Sequence, residues 1–343
     1  MAPVDEPLEV EAAGRAVRIT NPHKEFFARI GLTKAGLAEY YLAVEGPLME
    51  AMGGRPVLME RYPDGVPGKS FFQKRVPASR PDWLRTTVVS TPNGTTSDAL
   101  VVDDVAHVLW AVNLGCLGFH VWPTRASDPT HADELRFDLD PMPRVTFDEV
   151  RTAASLVREM LDGLGIRSWV KTSGSRGLHV YVPLLPRWGS TTVRSAAVAA
   201  ARELARRHPG LLTDAWWKEE RGRRVFVDFN QNAPHKTVFG AWSVRPRVGA
   251  QVSTPIRWEE LDSVDPESLT ALTVPATRWR AGGPVGGSLG GPSVDRSAAR
   301  TARTGHGRRP HGRPMATPVS QDAERTPRVA PSRARGTTPP TAN

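Results

Sequence analysis

Two aspartates lie two residues apart in the segment 137–141, which reads Phe-Asp-Leu-Asp-Pro. On a β-strand, residues two apart share a face, so Asp138 and Asp140 would point together, away from the apolar side chains between them. Adjacent carboxylates repel each other, and a cation makes the arrangement favourable. Hard divalent ions such as Mg²⁺ and Mn²⁺ prefer oxygen ligands. The spacing indicates a metal site, and an exposed strand face capped by proline is the alternative.

A third acid lies in the segment 224–230, which reads Arg-Val-Phe-Val-Asp-Phe-Asn. Alternation on a strand would bury Val225, Val227 and Phe229 and place Asp228 on the opposite face. Three carboxylates suit two divalent ions about 3.5–4 Å apart, which hold the attacking and leaving oxygens of a phosphoryl transfer. For Asp228 alone, a salt bridge at a strand end is the alternative.

A polar turn separates the two acidic segments, and residues 173–179 read Ser-Gly-Ser-Arg-Gly-Leu-His. Two glycines allow backbone N–H groups to turn inward toward phosphate oxygens. Arg176 and His179 would add charge-assisted donors. By itself the segment is typical of an ordinary β-turn, but beside the acidic strand it indicates a triphosphate site.

The surrounding pattern predicts alternating strands and helices. Thr33 caps a helix that Pro47 should kink or end early, and amphipathic helices follow near 147–165 and 191–207. Strands are predicted at 56–62, 118–123, 134–141, 168–173, 177–184 and 223–230. This order predicts an α+β domain in which a mainly antiparallel sheet, flanked by helices, carries the functional groups.

Composition divides the chain into a flexible lead at 1–12, a folded domain at 13–280 and a disordered tail at 281–343. The tail is rich in Gly, Pro, Ser, Thr and Arg, and it cannot bury enough apolar surface to order itself. Its ten Arg and three acidic residues give +7 of the total charge of +9. The high pI therefore does not indicate that the folded body binds nucleic acid. The tail could hold polyanions loosely or serve as a solubilising extension.

No membrane partner is expected. The N-terminal segment lacks the apolar run of a signal peptide, and the most apolar stretch, 108–122, is short and interrupted by polar residues and glycine. The single cysteine, Cys116, excludes an intramolecular disulfide and fits the reducing cytoplasm.

The three motifs FDLDP, SGSRGLHV and VFVDFNQN resemble those of the archaeo-eukaryotic primase superfamily. The flanking segments TNPHKEFF, DGVPGKSFFQK, KTVFGAWSVRPR and VSTPIRWEEL are similar to the polymerase domain of bacterial ATP-dependent DNA ligase D and its stand-alone actinobacterial relatives. The resemblance covers about residues 17–261 and implies a primase-polymerase catalytic core. A ligase nucleophile motif, Lys-x-Asp-Gly, does not occur, so we expect the polymerase part alone.

The resemblance implies template-directed nucleotidyl transfer that fills short gaps or extends broken DNA ends during end joining or excision repair. It implies a preference for ribonucleotides and two ions of Mn²⁺ or Mg²⁺. The implied partners are DNA with gaps or 5′-phosphate ends, nucleoside triphosphates, and a separate DNA ligase or end-binding repair proteins. The implied location is the bacterial cytoplasm, in association with the nucleoid.

The resemblance also implies roles for individual residues. The metal ligands are Asp138, Asp140 and Asp228. The nucleotide-binding residues are Ser173, Arg176, His179, His120, Gln231 and Arg245. A downstream 5′-phosphate would be bound by Asn21, Lys24 and Lys34, and template bases would stack on Phe71 and Phe72, one of which core packing could instead bury. Arg176 stands where ligase-linked members usually have lysine, which keeps the charge but alters the geometry.

Two other functions remain as alternatives. A D-x-D glycosyltransferase would use Asp138 and Asp140 to hold Mn²⁺ on a sugar nucleotide, but it leaves Asp228 without a role. A non-catalytic DNA-end binder would use Lys24, Lys34 and the tail. Three clustered acids argue against it, because negative charge beside DNA is unfavourable without a metal.

Overall fold

The computed structural model describes residues 6–275, so the predicted tail at 281–343 lies outside the described residues. Within 6–275 there are five α-helices: α1 Lys34–Ala43, α2 Glu45–Met52, α3 Val105–Asn113, α4 Phe147–Gly163 and α5 Ser190–Arg207. The strands of the first half are β1 Leu8–Ala12, β2 Arg15–Ile19, β3 Glu25–Phe27, β4 Leu32–Thr33, β5 Pro56–Arg61, β6 Phe71–Gln73, β7 Thr86–Ser90, β8 Thr96–Val101, β9 Cys116–Val121 and β10 Thr124–Arg125. Those of the second half are β11 Asp128–Pro141, β12 Trp169–Thr172, β13 Leu178–Gly189, β14 Leu212–Thr213, β15 Val225–Asp228, β16 Val238–Phe239 and β17 Pro255–Ile256.

The larger sheet has the order β14-β15-β11-β13-β12-β17, with β10 also paired to β11. Its neighbours are antiparallel except β14 and β15, which are parallel. Helices α4 and α5 cover one face, and their apolar side chains share a core with Phe137, Leu139 and Val180 of the sheet. The predicted α+β class with mainly antiparallel sheet is confirmed.

The second sheet has the order β16-β9-β5-β8-β7, with β6 paired to β5. Its core is formed with the helices α1, α2 and α3, and it includes Tyr41, Leu109 and Phe119. None of the helices within residues 6–275 is long and apolar enough to cross a membrane.

The helix α4 shows how local sequence sets an element. Thr146 accepts a hydrogen bond from the Glu149 backbone N–H, and the Glu149 carboxylate accepts one from the Thr146 N–H, which completes a capping box. Val150, Val157 and Leu161 recur at helical spacing and are buried against the sheet.

The predicted helix over residues 34–52 forms as two helices. Thr33 caps α1 as expected, since its hydroxyl accepts from the Gly36 N–H at 3.2 Å. The break falls at Val44 rather than at Pro47. Pro47 lies in the first turn of α2, where a missing N–H costs no intrahelical hydrogen bond.

The N-terminal segment differs from the flexible lead expected over residues 1–12. Leu8–Ala12 forms a strand that pairs with Arg15–Ile19 in five register pairs. Ala13 and Gly14 both have positive φ, the geometry of a tight hairpin turn. The hairpin buries Ala12, Val17 and Ile19, and this burial offsets the entropy of ordering the segment.

A buried ionic cluster joins the chain before β5 to the strand β11. Arg55 donates to Asp133 at 2.7 Å and to Glu134 at 2.9 Å. The Arg136 Nε donates to the same Glu134 carboxylate at 2.6 Å, and its guanidinium donates to the carbonyls of Val121 and Trp122 at the end of β9. Glu134 therefore balances two buried guanidinium groups that connect the two sheets.

Replacing this carboxylate tests its importance. Glu134→Ala leaves Arg55 and Arg136 with less compensation in the interior, and we expect a loss of about 3–5 kcal/mol in the free energy of unfolding. Urea denaturation measures the change. Glu159→Ala, on the exposed side of α4, is the control and should change stability by less than about 0.5 kcal/mol. A Glu134→Ala protein as stable as this control would show that Glu134 is not needed to compensate the two guanidinium groups.

Candidate active site

Four side chains form a row across the larger sheet. In the β-sheet register Asp138 of β11 lies opposite Asp228 of β15 on one side and opposite His179 of β13 on the other. His179 in turn lies opposite Lys171 of β12. Paired residues share a face, and Asp140 lies two residues beyond Asp138 on that same face. The fold therefore brings together the three aspartates that the sequence placed on two separate strands.

Gln231 contacts two of these carboxylates. Its side-chain nitrogen lies 3.3 Å from Asp138 Oδ2 and 3.2 Å from Asp228 Oδ2. Gln231 belongs to a 3₁₀ turn, Asn230–Asn232, that directly follows β15. The Asn230 backbone N–H donates to Asp228 Oδ1 at 2.7 Å, so the turn holds both oxygens of this carboxylate.

Asn232 attaches this turn to β11. Its side-chain oxygen accepts from the Arg136 N–H at 2.8 Å, and its side-chain nitrogen donates to the Arg136 carbonyl at 2.7 Å. The Asn232 side chain thus makes the two hydrogen bonds to β11 that the backbone of a longer β15 would make. Arg194 of α5 donates to the Asn230 side-chain oxygen at 2.9 Å. The sequence motifs gave no role to Asn232. The only sequence signal for it was the run Asn-Gln-Asn after an apolar strand.

The electrostatics of the row favour an added cation. Burial, together with the negative charge of Asp138, raises the pKa of Asp228 to about 6. Burial and the same neighbouring charge raise the pKa of Asp140. For Asp138 burial acts upward, but the contact with His179 and the charges of Arg245 and Lys171 hold its pKa below the usual value. Asp140 and Asp228 are therefore difficult to ionise without a compensating positive charge.

The donor chemistry fits a divalent metal that shares its ligands with a substrate. Within residues 6–275 no three His, Cys, Asp or Glu side chains converge as a ready-made metal cage. Mg²⁺ is usually bound by one or two carboxylates together with substrate phosphates and water. An open set of aspartates at the edge of a polar face is compatible with that mode of binding.

The glycine turn between β12 and β13 is held by Ser173. Its hydroxyl accepts from the N–H groups of Ser175 and Gly177 at 3.2 and 3.1 Å. A side chain at Gly177 would place its Cβ 2.5 Å from the Leu139 carbonyl oxygen. The turn therefore packs directly against the backbone between the two aspartates of β11.

Arg176 and His179 extend from this turn toward the aspartates. Arg176 is exposed and donates to the Pro141 carbonyl at 3.3 Å. His179 is buried, with Nε2 3.3 Å from Asp138 Oδ1. Burial, together with the positive charge of Lys171, lowers the pKa of His179 to about 4, so the ring is a neutral donor to Asp138. Its Nδ1 has no hydrogen-bond partner among the described residues.

Arg245 and His120 lie along one continuous path of contacts. The Arg245 Nε donates to the Ser173 carbonyl at 2.8 Å, and its guanidinium lies 3.7 Å from the centre of the Phe239 ring. The same Phe239 ring meets His120 edge-on at 5.2 Å. Burial lowers the pKa of Arg245 to about 10. The structure thus links these two predicted nucleotide-binding residues to the glycine turn.

Phe71 and Phe72 are both exposed on β6, at 46% and 60% of their full surface. The burial of one ring, which core packing could have caused, does not occur. Phe71 lies under the Arg61 guanidinium, with 5.1 Å between the guanidinium carbon and the ring centre. Phe72 contacts the edge of the His120 ring at 5.4 Å. Two solvent-facing aromatic rings therefore border the site.

The three residues expected at a 5′-phosphate lie on one folded segment, but their side chains differ in exposure. Backbone hydrogen bonds connect Lys24 to Asn21 and Lys34 to Lys24. The half-exposed Lys24 ammonium donates to the Pro63 carbonyl at 2.7 Å and to Asp64 at 3.1 Å. Lys34 is buried at the start of α1 and donates to backbone carbonyls, at 2.7 Å for that of Thr20.

Lys171 is a polar residue of the site to which sequence analysis gave no role. Its ammonium is buried and donates to the Phe239 carbonyl at 3.0 Å and to the Ser253 hydroxyl. Burial lowers its pKa well below the usual value, and the positive charge of Arg245 lowers it further. A lysine inside the apolar strand Trp169–Thr172 was the available signal.

Comparisons with known proteins give a consistent result. A family model described as the primase-polymerase domain of LigD matches residues 33–285. The multifunctional non-homologous end joining protein LigD of Mycolicibacterium smegmatis is 34% identical over 253 residues, which cover 73% of this chain and 33% of that protein. The bifunctional non-homologous end joining protein LigD of Bacillus subtilis is 30% identical over 260 residues, covering 75% and 42%. The chain spans less than half the length of these relatives.

Among solved structures, the polymerase domain from Mycobacterium tuberculosis ligase D in complex with DNA matches with a TM-score of 0.74 and 31% identity. The match covers 78% of this chain and 96% of that chain. The similarity therefore extends over nearly the whole of that domain.

Replacing one acid of the row tests its electrostatics. Asp228→Asn removes the repulsion from Asp138 and keeps an oxygen for the Asn230 N–H, so we expect stability at pH 7 to rise by about 1–2 kcal/mol. Millimolar Mg²⁺ or Mn²⁺ should stabilise the wild-type protein more than the variant. Urea denaturation with and without metal measures both effects. If the variant is less stable than the wild-type protein at pH 7, repulsion between Asp138 and Asp228 does not limit stability.

The pH dependence of the same pair has a defined sign. Folding raises the pKa of Asp228 from 3.8 to about 6. The contribution of this group to the free energy of unfolding is therefore most favourable below about pH 3.8, and it is lost as pH rises through about 6. The advantage of Asp228→Asn should therefore shrink when denaturation is repeated at pH 5. Asp162→Asn, on the exposed end of α4, is the control and should show no such trend.

Proposed function

The chain belongs to the LigD primase-polymerase family of nucleotidyltransferases, and we propose that it fills short gaps and extends broken ends of DNA by template-directed nucleotidyl transfer. The observation that carries the proposal is the register in which Asp138 lies opposite Asp228, with Asp140 on the same face. This membership in a polymerase family removes the D-x-D glycosyltransferase as an alternative.

Three aspartates are the proposed metal ligands: Asp138, Asp140 and Asp228. The raised pKa values of Asp140 and Asp228 support this role, because a bound cation would relieve the repulsion that raises them. Two ions of Mn²⁺ or Mg²⁺, when bound, would lower the pKa of a primer 3′-hydroxyl and neutralise charge on the departing pyrophosphate. The Gln231 amide would then exchange its contacts with the carboxylates for contacts with the substrate.

The incoming nucleoside triphosphate is proposed to lie between the glycine turn and the second sheet. Ser173 holds the shape of the turn, and the exposed Arg176 would donate to phosphate oxygens. The neutral His179 has a single N–H, so it would have to exchange Asp138 for a phosphate oxygen. His120, on β9 of the second sheet, is proposed to border the nucleotide together with Gln231 and with Arg245, which lies in the segment after β16. Their connection to the turn through Phe239 supports a single nucleotide site.

DNA is the proposed polymeric substrate, and the solved relative was determined in complex with DNA. The exposed rings of Phe71 and Phe72 are available for stacking on template bases, which is worth about 1–3 kcal/mol per base. Asn21, Lys24 and Lys34 are the proposed contacts to a downstream 5′-phosphate. Lys24 can exchange the exposed Asp64 for phosphate directly, whereas Lys34 would have to leave its backbone carbonyls.

The biological setting is proposed to be end joining or excision repair in the bacterial cytoplasm, in association with the nucleoid. End joining stands in the names of the curated relatives. A separate DNA ligase or end-binding repair proteins are the proposed partners. Ribonucleotides are the proposed preferred substrates. One gap-filling assay that compares ribonucleotides with deoxyribonucleotides, each with Mn²⁺ and with Mg²⁺, tests the substrate and the metal together.

Asp138→Ala tests the catalytic proposal. Loss of this carboxylate should lower primer extension across a short gap by more than about 10²-fold, while the Kd for DNA stays within about threefold. Extension on a labelled primer and fluorescence anisotropy measure the two quantities. Asp162→Ala is the matched control and should extend at the wild-type rate. Undiminished extension by Asp138→Ala would sink the assignment.

Lys24→Ala tests the 5′-phosphate proposal. Removing this charge should reduce the preference for a 5′-phosphorylated gap over a 5′-hydroxyl gap by about tenfold, since one charge-assisted contact contributes about 1.5 kcal/mol. Competition binding with the two gapped duplexes measures the preference. Arg202→Ala, exposed on α5, should leave it unchanged. Equal losses of affinity on both duplexes after Lys24→Ala would contradict this role.

A further inference from the structure

His120 has a charged neighbour to which neither the sequence motifs nor the family gives a role. In the register of β5 and β9, Glu60 lies opposite Gly118, two residues before His120. The Glu60 side chain reaches along the sheet, and its Oε2 lies 3.1 Å from His120 Nε2. Its other oxygen, Oε1, accepts from the Tyr62 hydroxyl at 3.0 Å. Both carboxylate oxygens are therefore engaged.

Gly118 provides the space for this contact. A Cβ at this position would lie 2.6 Å from Glu60 Oε2 and 3.1 Å from a ring carbon of Phe239. Any side chain would therefore displace the carboxylate, the phenylalanine ring, or both. The absence of a side chain at Gly118 allows Glu60 and Phe239 to approach His120 together.

Aromatic contacts fix the plane of the imidazole. Phe72 and Phe239 each meet the His120 ring edge-on, with ring centres 5.4 and 5.2 Å away and interplanar angles of 79° and 88°. Edge-to-face contacts of this kind are favourable and specific in geometry. Together with the Glu60 hydrogen bond, they determine how the ring is oriented.

The hydrogen bond to Glu60 also selects the tautomer of the ring. Burial acts to raise the pKa of Glu60, but the hydrogen bonds from His120 and Tyr62 keep it below the usual value, so the group is a carboxylate that can only accept. Burial lowers the pKa of His120 in spite of the neighbouring carboxylate. The neutral ring therefore carries its proton on Nε2, and Nδ1 keeps a lone pair.

We propose that Glu60 is a positioning residue, which fixes the orientation and tautomer of His120 so that Nδ1 accepts a hydrogen bond from a donor group of the incoming nucleoside triphosphate. The inference rests on the proposed function, because it takes His120 as part of the nucleotide site. It adds that the site needs a half-buried carboxylate on β5 and a glycine on β9. Glu60 acts through His120 and does not itself contact the substrate.

Glu60→Leu tests the proposal, because leucine has a similar volume but cannot accept a hydrogen bond. At metal sites, loss of the group that orients a ligating histidine costs about 10–100-fold, and we use that range here. We expect the KM for nucleoside triphosphate to rise by that factor, with kcat within about threefold of the wild-type value. Gap-filling rates at saturating DNA measure both. Glu60→Gln keeps a carbonyl acceptor of the same length and should restore most of the lost affinity.

Gly118→Ala is an independent variant. It keeps Glu60 but forces the carboxylate to move away from His120, and it should raise KM in the same way. Glu159→Leu, on α4, is the control and should leave KM and kcat unchanged. Melting temperatures establish that each variant is folded. If Glu60→Leu is unstable, Gly118→Ala still decides the question.

The ¹⁵N spectrum of the nine histidines provides a readout that does not depend on activity. His120 is assigned by its absence in His120→Gln, and in the wild-type protein it should show a protonated Nε2 and an unprotonated Nδ1. Glu60→Leu should average the two tautomers. The inference alone is overturned if Glu60→Leu changes neither the KM nor the His120 signals, while the wild-type protein is active and Asp138→Ala is inactive. Full activity of Asp138→Ala overturns the proposed function instead.

Discussion

Repulsion between Asp138 and Asp228 across two adjacent strands is the constraint around which the site is built. The ladder brings the two acids together, and a buried environment makes their charges costly. The surrounding structure supplies partial compensation, through the Gln231 amide and the Asn230 N–H. A site of this kind lowers the stability of the free protein, and it gains affinity for cations in return, as expected where function and stability compete.

Arg136 connects this site to the rest of the molecule. The Asn232 side chain hydrogen-bonds to both the N–H and the carbonyl of Arg136, and this attaches the turn that carries Gln231. The Arg136 guanidinium donates to carbonyls at the end of β9, the strand that carries His120. Arg136 therefore connects the acids on one sheet to the strand of the imidazole on the other, alongside Arg55, and this connection favours a rigid arrangement of the proposed nucleotide site.

Much of this arrangement could be predicted from local sequence. Strict alternation around Asp138 and Asp140 gave the face on which they lie, and the apolar run before Asp228 gave its strand. The pairing of these strands could not be derived, because register between segments about 90 residues apart depends on tertiary packing. Lys34 was expected at a 5′-phosphate from the resemblance, and the sequence could not show that its side chain is buried and donates to the Thr20 carbonyl. Lys171 and Asn232 left only weak local signals in the sequence and Glu60 left none, so it is their spatial neighbours that show what they contact.

The tight packing of Gly177 against the Leu139 carbonyl separates two kinds of position within one turn. The Arg176 side chain is exposed and has room to vary in length and charge, whereas the neighbouring Gly177 has no room for an added carbon. Libraries that aim to alter nucleotide selectivity would find their diversity at Arg176. The adjoining glycine restricts how far natural or laboratory evolution can remodel this loop without separating it from the acidic strand.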